Sequence, residues 1–286
     1  MQAPTERPRS YAASARPARE RSPPALRQRD SDLEGYPTPA NPWTPISTGS
    51  LVQGLAAANG MAIAKRLNGI AVRIFGLMGD GERSEGAVWE AAQLAVDKRL
   101  DGAAAIVDAN GLAQSGPAPY AHDTSVIAGR FRAFGWKALE IDGHDFGKIL
   151  RALEQTRDSE PTAIVATTIK GKGVSFLEGA TGWHDKALDA AECVQALREI
   201  APADQGVEVD TRFLSPSTAR SSPPLALPTR VDYVVDDQVA MRTAFRSALT
   251  KLGMHFPDRV VLDRDVKNST KTDRFADEYP WRFIPA

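Results

Sequence analysis

Two apolar runs that each break into a short polar loop constrain this chain more than any other feature. The first, Ile70-Ala71-Val72-Arg73-Ile74-Phe75-Gly76-Leu77-Met78, ends in Gly79-Asp80-Gly81. About thirty residues on, Ala104-Ala105-Ile106-Val107 ends in Asp108-Ala109-Asn110-Gly111-Leu112. Between them, Ser84 to Leu100 carries Val88, Trp89, Ala92, Ala95 and Val96 at the spacing of one helix face, with Ser84 as the expected cap. Strand, helix and strand at this length make a right-handed parallel crossover, which brings both strand ends to one edge of the sheet. The spacing therefore predicts Asp80 and Asn110 side by side.

A carboxylate and a side-chain amide placed that way suit a hard cation that takes oxygen ligands, such as Mg2+, with Ca2+ or Mn2+ as substitutes. Asp80 and Asn110 offer two oxygens and the turn at Leu112 a main-chain carbonyl, which leaves the rest of the shell for a diphosphate. Two other readings compete. Gly79-Asp80-Gly81-Glu82-Arg83-Ser84 nearly matches a dinucleotide fingerprint, with Ser84 at the third glycine, but Asp80 and Glu82 would then face a pyrophosphate. An ordinary Asp-Gly turn is the plainest alternative. No P-loop motif occurs.

Further along, helix from about Thr124 to Phe134, strand Lys137 to Ile141, a helix ending near Arg157 and strand Thr162 to Thr168 continue the alternation. The pattern predicts an α/β fold, an open parallel sheet with helices on both faces and its site at the carboxyl ends of the strands. Upstream, Val52 to Leu67 reads as a helix rich in Gly and Ala, which permits close packing. After strand four, Lys170-Gly171-Lys172-Gly173 offers a lysine point charge suited to phosphate. A solvated basic turn is the competing reading.

The segments Gly79 to Ala92 and Asp108 to Pro117 resemble the thiamine diphosphate motif of the transketolase family, and the likeness runs from about Asp32 to Ile284. The resemblance implies thiamine diphosphate as cofactor, bound by Gly49, Ser50, Leu51, Gly81, Asn110, Lys170 and His184. It implies Asp80, Asn110 and Leu112 as Mg2+ ligands. Gly182-Trp183-His184-Asp185-Lys186 resembles the family's Gly-Trp-His-Gly-Lys, so His184 is expected to be catalytic, polarising substrate oxygens or shuttling a proton. By the same likeness, Arg242 and Ser269 hold a sugar phosphate together with His184. Tyr36, Val52, Asp185 and Arg264 depart from the family's residues at their positions.

Composition sets off a Pro/Arg/Ala-rich head (1–30) expected to be disordered and a Pro/Ser-rich linker (201–230), and the resemblance implies a diphosphate- and Mg-binding domain (31–200) and the beginning of a pyrimidine-binding domain (231–286). In the family, the glutamate that activates the aminopyrimidine lies beyond the matched stretch, and an upstream segment carrying further histidines has no match here. The expected function is transfer of a two-carbon ketol unit from a ketose phosphate to an aldose phosphate. The alternative is a catalytically incomplete cofactor-binding or pairing subunit. A homodimer, or a second polypeptide that completes the pyrimidine domain, is the expected partner.

Composition narrows the rest. With 286 residues, 42% hydrophobic and 25% charged, the chain can bury one large domain or one plus part of another. A formal charge of -1 gives no reason to expect nucleic acid or an acidic membrane. No apolar run approaches the roughly 20 residues of a membrane span, and no signal-peptide core is visible. The single cysteine, Cys193, fits a reducing, cytoplasmic compartment and is expected to be a small buried hydrophobe. His144 is expected to be structural, and His122 and His255 have no partners at metal spacing.

Overall fold

Parallel pairing of the two apolar runs organises the first of two compact units, Met1–Pro216 and Ser217–Ala286. The computed structural model describes residues 28–29, 35–36, 38–39, 46–156, 160–200, 233–234 and 236–285. The expected disordered head and the expected linker lie essentially outside these residues.

In the first unit, β1 (Ile74–Gly79), β2 (Ala103–Ala109), β3 (Lys137–Asp142) and β4 (Thr162–Thr167) form one sheet in the order β1-β2-β4-β3. All three pairings are parallel, with Gly79 opposite Asp108 and Asp108 opposite Ala166. The open parallel α/β sheet expected from the pattern is what forms. Its central strands are buried almost throughout, Ala103, Ala105, Val107, Ala109, Ala163 and Val165 among them, as a sheet covered by helices requires.

Helix α1 (Gln53–Leu67) packs on β1 and on α2 (Gly86–Asp97). The approach is close because both surfaces are small: a Cβ on Gly76 of β1 would lie 3.6 Å from that of Ala58 and 3.7 Å from Leu55. Buried Asn59 ties the two helices by donating to the Ala91 carbonyl at 2.7 Å. Helix α3 (Thr124–Ala133) covers β3 and β4, and α4 (Phe146–Gln155) lies on β3. Trp89, Phe131, Phe134 and Trp136 interlock with ring centroids 5.1 to 5.6 Å apart, and Trp136 Nε1 donates to the Ala92 carbonyl at 2.8 Å. Helix α5 (Ala190–Glu199) begins with a capping box of Asp189 and Glu192.

Three expectations are corrected. Strand β1 starts at Ile74 rather than Ile70, because its partner begins only at Gly102, whose carbonyl accepts from Ile74; Ile70 and Val72 are about half exposed. Ser84 is not the cap of α2. Residues Glu82–Ser84 form a 3-10 turn, and Glu85 occupies the N-cap position. Cys193 is exposed, because the inward residue of α5 is Ala196.

The second unit holds α6 (Met241–His255), α7 (Lys267–Thr270), α8 (Asp273–Glu278) and a parallel pair, β5 (Val261–Asp263) with β6 (Phe283–Pro285). Buried Arg282 donates to the carbonyls of Phe256 at 2.9 Å and Gly253 at 2.7 Å, satisfying groups left open at the carboxyl end of α6. Asp263 accepts from the hydroxyls of Thr270 at 2.7 Å and Thr272 at 2.8 Å and from the Val266 N–H at 3.0 Å. Of these, the Thr270 bond most strongly holds its carboxyl below the usual pKa.

Two outcomes follow from these placements. Val52, the residue before α1, has φ 85° and ψ -28°, a backbone state that a β-branched residue adopts only under strain. Replacing it with glycine should raise stability by about 1 kcal/mol, measured by denaturant unfolding, whereas Val52→Ala should gain little. For Asp263, a folded pKa below the unfolded one gives stability that is present above the unfolded value and lost as pH falls through the folded one. Asp263→Asn should therefore lower the melting temperature at pH 7, and the gap to wild type should narrow in acid.

Candidate functional site

The carboxyl edge of β1, β2 and β4 brings the candidate ligands together. Asp80 follows β1 directly and Asn110 follows β2 directly, so the strand register sets them on neighbouring loops. The contact is direct: Gly111 N–H donates to Asp80 Oδ2 at 2.6 Å. Asn110 Oδ1 accepts from Leu112 N at 3.0 Å, and its Nδ2 donates to Asp108 Oδ2 at 3.2 Å. The other Asp108 oxygen accepts from the Thr168 hydroxyl at the end of β4. A short hairpin then forms, with Leu112 bridged to Pro117 and Ala113 N donating to the Gly116 carbonyl at 2.8 Å.

Asp80 is buried and has a second partner. Arg83 Nε donates to its Oδ1 at 2.9 Å, and both side chains are almost completely enclosed. Burial raises the Asp80 pKa above the usual carboxylate value, opposed chiefly by the bonds from Arg83 and Gly111. Glu82 is buried too; burial pushes its carboxyl up, while Val52 N donates to its Oε1 at 3.0 Å.

Gly49, Ser50 and Leu51 lead into α1, with Ser50 and Leu51 exposed. Gly49 has φ 127° and lies under the Tyr36 ring, which a Cβ at this position would meet at 2.3 Å. Tyr36, one of the positions that depart from the family's residues, thus packs on the first residue of the expected cofactor loop. Gly81 sits at the entry to the 3-10 turn, beside Ala113.

Lys170 lies three residues beyond β4, and its Nζ stands 3.3 Å from His184 Nδ1. The loop between them folds back on itself: Gly171, at φ 75°, has no room for a Cβ beside Leu177, and Gly179 N donates to the Lys170 carbonyl at 2.9 Å. Asp185 adopts φ 58° and places Oδ2 3.8 Å from His184 Nε2, so His184 stands between a lysine and a carboxylate. Arg242 and Ser269 belong to the second unit, where both are exposed, at the start of α6 and within α7.

Three participants were not singled out from the sequence as parts of this site. Arg83 is one, although its i+3 spacing from Asp80 is the spacing of side chains that meet on a helical turn. Glu82 is the second. The third is the exposed His122, whose ring covers Gly111 and whose Nε2 lies 3.2 Å from the Thr168 carbonyl. His144, expected to be structural, accepts from Ile169 N at 2.8 Å through Nε2 and so holds the strand end that leads to Lys170.

The donor chemistry fits a hard divalent cation: a carboxylate, an amide oxygen and a main-chain carbonyl at one strand edge. Among the described residues no group of three or more His, Cys, Asp or Glu could hold a metal by itself. Diphosphate and water would have to complete the shell. Nor, among those residues, is any helix long and apolar enough to cross a membrane.

The family described as "Transketolase, thiamine diphosphate binding domain" matches residues 24–218. Transketolase of Rattus norvegicus is 41% identical over 266 residues, covering 91% of this chain and 42% of the relative. Transketolase-like protein 2 of Bos taurus is 41% identical over 268 residues with the same coverage. The chain thus spans well under half the length of these relatives. The crystal structure of transketolase from Campylobacter jejuni superposes with a TM-score of 0.66 at 25% identity, over 87% of this chain and 45% of that one. Transketolase from Pichia stipitis in complex with sedoheptulose-7-phosphate gives a TM-score of 0.53 at 26% identity, over 60% of this chain and 27% of that one. This chain belongs to the transketolase family, and the part of it that carries the match is the thiamine diphosphate binding domain.

Proposed function

We propose that the chain binds thiamine diphosphate with Mg2+ at the β1, β2 and β4 edge and serves transfer of a two-carbon ketol unit from a ketose phosphate to an aldose phosphate. The observation that carries this reading is the Gly111-to-Asp80 hydrogen bond of 2.6 Å, which joins the two loops bearing the oxygen donors. Asp80, Asn110 and Leu112 would hold the cation, with Ca2+ or Mn2+ able to substitute. Gly49, Ser50, Leu51 and Gly81 would border the cofactor, and Lys170 would neutralise diphosphate charge. When bound, thiamine diphosphate supplies the electron sink that stabilises a carbanion during carbon-carbon cleavage.

His184 is suited to polarise a substrate oxygen or move a proton there, since Lys170 approaches one ring nitrogen and Asp185 the other. Arg242 and Ser269 would bind the phosphate of the sugar. The proposed arrangement is a diphosphate domain (31–200), a linker (201–230) and the start of a pyrimidine domain (231–286), working in the cytoplasm as a homodimer or with a second polypeptide. A second reading, a cofactor-binding or pairing subunit without turnover, is favoured by one observation: Asp80 already holds a cationic partner in Arg83.

Calorimetric titration of thiamine diphosphate into the full chain tests the first reading. Binding should be about tenfold or more tighter in millimolar Mg2+ than in chelator, and Asp80→Asn should abolish the difference. Absence of binding under both conditions would overturn the proposal. Removing the Lys170 charge with Lys170→Met should weaken cofactor binding by about tenfold. A ketol-transfer assay on the same preparation separates the two readings, because turnover by the chain excludes the second.

A further inference from the structure

Arg83 is the largest of the fully buried side chains among the described residues, and it lies at the carboxylate assigned above to the cation. A guanidinium stays charged at any pH a protein survives, so a permanent positive charge is built into this loop. It is anchored at several points. Nε donates to Asp80 Oδ1 at 2.9 Å, a terminal nitrogen donates to the Pro119 carbonyl, and the Tyr120 ring lies 5.8 Å away. The Arg83 carbonyl itself accepts from Trp89 Nε1 at 3.1 Å, which fixes the turn from behind. Asp80's second oxygen is taken by Gly111 N. A divalent cation arriving at Asp80 therefore meets a carboxylate whose two oxygens each have a donor and whose charge is already balanced.

We propose that Arg83 is a resident counter-cation of Asp80 that weakens the divalent-metal affinity of this loop pair. The inference rests on the reading that Asp80 is the cation's carboxylate ligand. Coulomb repulsion between two fixed cations sharing one enclosed carboxylate is strong, because little water screens it. The guanidinium cannot swing away without leaving the Pro119 carbonyl and burying an unpaired charge. Arg83 thus tunes affinity, setting how much metal the site requires before it fills.

The test is titration of Mn2+ into the full chain without cofactor, read by the paramagnetic resonance of free Mn2+, with thermal melts in parallel. Wild type and Arg83→Lys should bind Mn2+ weakly, with melting temperatures nearly insensitive to it. Arg83→Met should bind roughly tenfold tighter or better and regain in Mn2+ much of the stability lost with the ion pair. In Asp80→Asn with Arg83→Met, which removes both charges, that gain should vanish. Equal Mn2+ affinity in wild type and Arg83→Met, or a gain that persists in the double variant, would overturn the proposal. Should Arg83→Met fold only with metal, the proposal stands; should it stay unfolded with Mn2+ while Arg83→Lys folds, it falls. None of these samples contains thiamine diphosphate, so a failure to bind cofactor is read separately.

Discussion

One hydrogen bond, from the Gly111 amide to Asp80, joins the two loops on which the candidate site depends. It exists because β1 and β2 are adjacent and parallel, in a register that brings Gly79 opposite Asp108. A one-residue slip would turn the side chains of a strand to the other face, and both loops would lose their alignment. Packing defends the register. The alanine-rich strand β2 fits between β1 and β4, and Gly76 lets α1 approach β1 closely.

Several polar groups at this edge are buried or partly buried and held by named partners. Asp108 accepts from Asn110 and from Thr168, which links β2 to β4. His122 and His144 both touch the residues just after β4, one through the Thr168 carbonyl and the other through the Ile169 N–H. These two imidazoles lie outside the expected ligand set but position the strand end from which Lys170 departs. Buried polar groups arranged in this way give a site its shape before any ligand arrives.

The sheet was legible in the sequence because parallel strands buried on both faces read as continuous apolar runs, and Ile164-Val165-Ala166 is such a run. The juxtaposition of Asp80 and Asn110 was legible for a related reason: crossover handedness leaves little freedom. Local end effects were not. Ser84 has the chemistry of a cap, yet its N–H bonds to the Gly81 carbonyl at 3.2 Å in a tighter turn, and the helix starts two residues later. Ile70 and Val72 have strand propensity but, among the described residues, no strand pairs with them. Arg83 was hidden because arginine is rarely enclosed; only the fold shows that the partner which permits burial is three residues away. Cys193 misled in the opposite direction, since a small thiol suits either side of a helix.

The loop after the Leu112–Pro117 bridge contains a quieter arrangement. Tyr120, at φ 66°, places one ring 5.8 Å from the Arg83 guanidinium and 5.7 Å from that of Arg130 on α3. Arg130 also lies 4.8 Å from the Trp89 ring. Two like charges thus lean on a single aromatic face system, one enclosed and one at the surface, with a half-exposed ring as their common neighbour. The ring is packed between a surface guanidinium of α3 and the enclosed one of the β1 loop, so a substitution at Arg130 or Tyr120 would reach the packing around Arg83 without touching Asp80 itself.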